Sequence, residues 1–227
     1  MLAAALYTTA GMALAACAAP LTREAGPQAL EEASTSTTPA TVSTPTVSTP
    51  AATPAQATSQ PSVQLDATPA CGDDDDPTPA QTEGPYYTPD TPARASLLEP
   101  DMVGTRLLVA GYVLTTDCRP LGGALLDFWQ ADDAGVYDNA GYRLRGHQFT
   151  DDAGRYQLET IVPGLYPGRT RHIHVRVQPS GGAILTTQLY FPDEPQNARD
   201  GIFRPELIMA VRAGEPLVGT FDFVLDS

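Results

Sequence analysis

From about Thr78 to the C-terminus, short runs rich in β-branched and aromatic residues alternate with clusters of Gly, Pro and Asp. Runs of this length bounded by turn formers predict β-strands. They fall near Arg106–Leu114, Ala124–Trp129, Tyr156–Ile161, His172–Val177, Ala183–Phe191, Leu207–Val211 and Gly219–Leu225. No segment holds a helical period for more than two turns. The spacing predicts an all-β fold, a β-sandwich of mostly antiparallel strands, over residues 71–227. The chain has no G-x-G-x-x-G, no P-loop and no G-x-S-x-G, so nucleotide and serine-hydrolase chemistry lack their usual carriers.

The first third has a different pattern. Met1 to Ala16 is apolar and rich in small residues and ends Leu14-Ala15-Ala16-Cys17. It is short for a membrane span and reads as an export signal over residues 1–17. Leu-Ala-Ala-Cys resembles the lipobox of bacterial lipoproteins, in which the Cys carries the lipid. No Lys or Arg precedes the apolar run, which leaves room for a start further upstream; a plain secretory signal is the alternative. Residues 18–70 read as a disordered linker, because Ala33 to Pro69 is almost wholly Thr, Ser, Pro, Ala and Val. Such a composition cannot bury enough apolar surface to fold, and proline keeps it extended as a spacer open to O-glycosylation.

The formal net charge of −14 over 227 residues argues against nucleic acid and anionic membrane surfaces as partners. Membrane attachment is expected only through a lipid on Cys17. That leaves Cys71 and Cys118 in an oxidising compartment, where a disulfide is the expected pairing. The run Asp73 to Asp76 lacks the alternating spacing of a calcium loop and reads as a solvated acidic turn.

The chemistry concentrates in WQADDAGVYDN (Trp129 to Asn139) and PGLYPGRTRHIHV (Pro163 to Val175). On a strand, His172 and His174 project from one face and Ile173 from the other, toward the core. Arg169, Arg171 and Arg176 surround them in sequence. His-x-His spacing alone leaves metal binding and a plain strand surface both open. Tyr137 and Tyr166 add hard oxygen donors, and hard oxygens with imidazole suit a ferric ion. A phenol with an ordinary pKa of about 10 needs a strong Lewis acid to ionise at neutral pH. Against this, Asp151 to Tyr166 resembles the D-x-x-G-x-Y…P-G-x-Y pattern of prealbumin-like sandwich modules, in which tyrosines only pack. Tyr156 reads as such a packing residue.

Taken together, TEGPYY, PLGGALLDFWQADDAGVYDN, RGHQFTDDAGRYQLETIVPGLYPGRTRHIHV and TTQLYF resemble the intradiol ring-cleavage dioxygenases, the catechol and protocatechuate dioxygenase superfamily, from about Thr82 to Phe223. The resemblance implies a non-haem Fe(III) enzyme that cleaves a catechol-type ring with O2 between its two hydroxylated carbons, giving a cis,cis-muconate-type product. It implies Tyr137, Tyr166, His172 and His174 as metal ligands, Tyr166 being the axial tyrosine that leaves when substrate binds. It assigns Arg169 to the bound catecholate, Gln188 to a place near the iron and Tyr86 to the pocket wall. The chain lacks the helical N-terminal region by which catechol-type members dimerise, and it looks closer to an exported single-domain branch, so a monomer or weak dimer is expected. His147 falls outside the ligand pattern and reads as structural or pocket-lining; Trp129 reads as core beneath the site.

Two rival readings follow from the same residues. A non-catalytic, surface-displayed sandwich would carry neither iron nor O2 chemistry. A zinc hydrolase built on His172 and His174 would need a carboxylate such as Asp132 or Asp151 as third ligand and would leave the tyrosines unexplained.

Overall fold

The computed structural model of the chain describes residues 63–65 and 76–226. Cys17, Cys71, the export signal and nearly all of the linker lie outside the described residues. Nine strands fall in the described part, with two single-turn 3-10 segments, Asn197–Arg199 and Pro205–Leu207, and no α-helix. They are β1 (Arg106–Thr115), β2 (Leu125–Trp129), β3 (Arg145–Phe149), β4 (Arg155–Ile161), β5 (His172–Gln178), β6 (Leu185–Tyr190), β7 (Ala210–Arg212), β8 (Leu217–Thr220) and β9 (Phe223–Leu225). One sheet has the order β3-β2-β5-β6 and is antiparallel throughout. The other has the order β4-β1-β8-β7, and β9 pairs with the far end of β1; here β1 runs parallel to β8 and β9 and antiparallel to β4. The all-β sandwich expected from the sequence is the observed fold.

The core lies between the sheets. Alternate residues of β5 (Ile173, Val175, Val177) meet Leu126 and Phe128 of β2, Leu107 and Val109 of β1, and Tyr156 and Leu158 of β4. The period-2 alternation of β5 turns His172, His174 and Arg176 to the outer face of the four-stranded sheet. That face is not a solvent surface, however: His172 and His174 are buried, at 4% and 3% exposure. A sequence of alternating character therefore folds as a strand covered on both sides, because loops close over its outer face.

Three strand boundaries differ from the sequence expectation. β3 (RGHQF) has one apolar side chain and no alternation to betray it, yet it pairs with β2 from Leu125↔Phe149 to Trp129↔Arg145. Pro205 opens a 3-10 turn where the Leu207–Val211 strand is expected, and pairing starts only at Ala210. The single strand expected over Gly219–Leu225 is two, β8 and β9, split at Phe221–Asp222. There Asp222 accepts a hydrogen bond from the Tyr112 backbone N–H at 2.8 Å, and the Phe221 N–H donates to Ala110 at 3.1 Å.

Part of the stretch read as spacer packs on the domain. The Val63 N–H donates to Gln157 Oε1 at 3.0 Å, and residues 63–65 line a cavity of about 450 Å³ with Ala110, Gln148 and Tyr156. Cys118 follows β1 in a tight turn and is disulfide-bonded; the expected partner, Cys71, lies outside the described residues.

Tyr156 is a packing residue, as its pattern predicts. Its ring lies against Phe128 and Phe223, and its hydroxyl donates to the Phe221 carbonyl at 2.8 Å. Tyr156→Phe strands that buried acceptor, and the expected loss is about 1–3 kcal/mol of stability, read as a lower urea midpoint at unchanged slope. Phe128→Ala, which empties the centre of the core, is expected to cost about 3–5 kcal/mol in the same measurement.

Candidate active site

The site is built on the outer face of β5. In register, His174 lies opposite Trp129 of β2 on one side and Gln188 of β6 on the other, while His172 lies opposite Tyr190. Loops cover this row. Residues 82–87 cross above it so closely that a Cβ on Gly84 would stand 3.4 Å from His174 Cε1. The loops carrying Tyr137 and Tyr166 lock together backbone to backbone. A Cβ on Gly164 would meet the Gly135 nitrogen at 2.3 Å, and one on Gly135 would meet the Leu165 carbonyl oxygen at 2.2 Å. Gly164 N–H also donates to the Asp132 carbonyl at 2.6 Å. Only glycine permits that approach, so the PGLY and DDAG strings fix one tyrosine relative to the other.

Asp132 and Asp138 hold the turns on either side of Tyr137. Asp132 Oδ1 accepts from the N–H groups of Ala134 and Val136, and Asp138 accepts from those of Ala140, Gly141 and Arg143. These bonds, led by Ala140, keep the Asp138 carboxyl below its ordinary range. Asp151 caps its own DDAG turn in the same way, through Ala153 and Arg155. Neither Asp132 nor Asp151 is offered to the histidines, which removes the third ligand that a zinc hydrolase would need.

Three donor atoms converge. Tyr137 Oη stands 3.0 Å from His172 Nε2, which stands 3.1 Å from His174 Nε2. Imidazole nitrogens bound at about 2.0–2.1 Å to one ion stand about 3 Å apart when the bonds meet at a right angle, so the observed separation has room for an ion between them as well as for a hydrogen bond. His172 Nδ1 lies 2.7 Å from the Thr170 carbonyl oxygen, which can only accept; the proton is on Nδ1 and the Nε2 lone pair points inward. Burial disfavours the charged imidazoles, pushing His172 down to about 4 and His174 well below its ordinary value. Both rings are thus neutral at physiological pH. Burial also raises Tyr137, opposed by the positive charges of Arg169 and Arg145. No group of three His, Cys, Asp or Glu is gathered among the described residues, and the oxygen nearest the two imidazoles is that of Tyr137.

Tyr166 stands edge-on to Tyr137, with ring centroids 5.8 Å apart. Its hydroxyl meets that of Tyr86 at 2.8 Å, and Tyr86 stacks on Tyr137 at 4.7 Å. Tyr86, Tyr137 and Tyr166 therefore form one aromatic wall, with Tyr86 at its exposed end, where the bond to Tyr166 raises the Tyr86 pKa.

Arg169 follows Tyr166 around Gly168, whose Cβ direction is open. The Arg169 Nε donates to Asp200 Oδ2 at 2.8 Å and Nη2 donates to Gln188 Oε1 at 2.7 Å. Gln188 is fully buried and donates in turn to the Thr82 carbonyl at 2.9 Å. Arg171 instead pairs with Glu194, and Arg176 lies over the Tyr87 ring, so of the three arginines near the histidines only Arg169 reaches Gln188. His147 meets Thr91 at 3.2 Å, which binds Asp127; it supports the sheet rather than the site. Asp200, the anchor of Arg169, escaped the sequence reading: it lies in an irregular loop 31 residues away, and no spacing marks it. Burial would raise the Asp200 carboxyl, yet the Thr170 and Ile202 N–H groups and Arg169 hold it below its ordinary value.

The family model described as Dioxygenase matches residues 82–227. The chain is 30% identical to the catechol 1,2-dioxygenase of Candida albicans, over 63% of this chain and 58% of that one. The chain spans no more than about three-fifths of the length of the first curated relatives it matches. Among solved structures, it resembles the dioxygenase domain of a dioxygenase–carbohydrate-binding protein fusion from Streptomyces sp. SirexAA-E. That match has 60% identity and a TM-score of 0.65, covering 66% of this chain and 99% of that one. An intradiol ring-cleavage dioxygenase from Tetranychus urticae matches with 26% identity and a TM-score of 0.61, covering 66% and 94%.

Gly164→Ala forces a methyl group into the Gly135 backbone. It is expected to cost about 1–3 kcal/mol and to shift the tyrosine near-ultraviolet circular dichroism. Gly181→Ala, where a Cβ meets nothing within 4 Å, is expected to leave that spectrum unchanged despite its own backbone strain.

Proposed function

The chain belongs to the intradiol ring-cleavage dioxygenases, and from that premise we propose that it binds Fe(III) and uses O2 to open a catechol-type ring between its hydroxylated carbons, giving a cis,cis-muconate-type product. The observation that carries this reading is the convergence of Tyr137 Oη, His172 Nε2 and His174 Nε2 at 3.0 and 3.1 Å, with both imidazoles buried and neutral. The residues fit the ion: a zinc-type carboxylate is absent from the cluster, and the oxygens on offer are phenolic. Tyr137, Tyr166, His172 and His174 would hold it. When bound, ferric iron supplies a Lewis-acidic centre that takes the diol oxygens and draws electron density from the ring.

The chain's own groups do the rest. The Tyr166 oxygen, 2.8 Å from that of Tyr86 at the exposed end of the aromatic wall, would as a phenolate accept a proton released by the incoming diol and become a hydroxyl. Arg169, fixed by Asp200 and Gln188 before substrate arrives, offers a preorganised positive charge to the anionic substrate. Gln188, with its amide spent on Arg169 and Thr82, keeps that guanidinium in place rather than offering a free donor of its own. The same reading has the enzyme exported on a lipid at Cys17, with the Ser/Thr/Pro-rich stretch as its tether; it rests on the Leu14–Cys17 string. Labelling of the full chain by a fatty acid in a bacterial host, lost in Cys17→Ser, is the expected result.

Visible spectroscopy of the protein purified in air tests the central claim. A broad tyrosinate-to-iron(III) band that moves to longer wavelength with catechol is expected; a protein that stays colourless after iron reconstitution overturns it. Tyr166→Phe and His172→Ala are expected to lose or alter the band, and Tyr156→Phe to keep it. Asp200→Asn removes the anchor of Arg169 without touching a donor atom. It is expected to lower kcat/KM by about 10–100-fold at unchanged iron content.

A further inference from the structure

The two histidines are held in different ways. Metal-binding imidazoles are ordinarily oriented by a hydrogen bond from the ring nitrogen that faces away from the metal. His172 follows that rule through the Thr170 carbonyl. His174 does not: its Nδ1 is buried and meets no hydrogen-bond partner. What His174 has instead is Trp129, directly opposite it on β2, whose ring lies 4.8 Å from the imidazole at 8° to its plane.

Trp129 is held on its other side. The Tyr87 ring meets it edge-on at 4.9 Å, the Tyr87 hydroxyl donates to Asp127 at 3.1 Å, and the Arg176 guanidinium lies 4.5 Å from the Tyr87 ring centroid. The indole Nε1 is buried without a partner. An indole kept in a buried place where its only polar atom is unsatisfied is not there for hydrogen bonding. Gly84 passes the edge of the imidazole, where a Cβ would come into contact with Cε1 at 3.4 Å.

We propose that Trp129 is the positioning residue of His174: the Trp129–His174 stack, braced edge-on by Tyr87, does for this imidazole what the Thr170 carbonyl does for His172, aiming Nε2 at the donor cluster. This rests on the metal reading above for its purpose, but the orientation it describes exists in the metal-free chain. The consequence is selective. Loss of the indole face frees His174 alone, whereas loss of an ordinary core residue would loosen the strand and disturb both rings.

The test uses the full chain and its Trp129→Leu and Trp129→Phe variants, each checked for native far-ultraviolet circular dichroism. Long-range proton–nitrogen NMR of the histidine rings is recorded without metal, and ferric iron affinity is measured by competition with citrate. Trp129→Leu is expected to broaden or mix the tautomers of His174 while leaving the His172 signals in place, and to weaken iron binding by about 10–100-fold, the range for a lost orienting partner. Trp129→Phe, which keeps a ring face, is expected to recover most of both. If Trp129→Leu does not fold, Trp129→Phe carries the test: its smaller ring is expected to shift the His174 signals alone. Unchanged His174 signals in the folded variants, or equal disturbance of both histidines, overturns the proposal. A wild-type chain that takes up no iron while Trp129→Leu still disturbs His174 selectively overturns the metal reading and leaves the stack as the orienting contact.

Discussion

Everything in the outer half of this molecule depends on bringing His172 Nε2 and His174 Nε2 to 3.1 Å of each other in a place from which water is excluded. With His172 protonated on Nδ1, its Nε2 presents a lone pair to both His174 and Tyr137. Two nitrogens and an oxygen crowded this way, with little water at hand, depend on one another for their hydrogen bonds. The sandwich supplies the rigidity to hold the arrangement: β5 is an inner strand of an antiparallel sheet whose other face is the core, so the backbone that carries both histidines cannot shift without unpacking Ile173 and Val175.

The arginines around the cluster push in one direction. Arg169 and Arg145 both lower the Tyr137 pKa against the effect of burial, and Arg169 opposes protonation of both histidines. Arg145 is almost wholly buried, binds the Asp138 carbonyl through Nε and Nη2, and leaves Nη1 without a partner. A buried guanidinium so incompletely satisfied is unfavourable by itself; an anionic oxygen nearby relieves it. An acidic chain has therefore gathered cations about its phenols, and the local field, rather than the net charge of −14, governs the chemistry.

Much of this is legible in the sequence, for stated reasons. β1, β2, β4 and β5 announce themselves because one face of each is apolar, and His172 and His174 fall on one side by simple alternation. The glycines of DDAG and PGLY mark the turns because backbones touch there. What is not legible is what lies between elements. β3 is a strand because β2 needs a partner, not because RGHQF favours one. Burial of the outer face of β5 comes from loops that look polar. Asp200 and the backbone carbonyl of Thr82 serve Arg169 and Gln188 from residues that no local pattern connects to them. The packing of Val63 against Gln157 lies in a stretch whose composition argues for no structure at all.

The order of dependence runs from backbone to side chain to charge. Gly135 and Gly164 set how closely two loops approach, and that approach sets the distance between Tyr137 and Tyr166. Asp200 and Gln188 set Arg169 after the loop has turned at Gly168. Each functional side chain has its own main contact, Thr170 for His172, Trp129 for His174, Tyr86 for Tyr166 and Asp200 for Arg169, and these are linked in turn, since Thr170 also donates to Asp200 and Tyr86 also stacks on Tyr137. Of these side chains, Tyr166 is the one whose bond runs to the exposed end of the aromatic wall, which makes it the group the fold leaves freest to change.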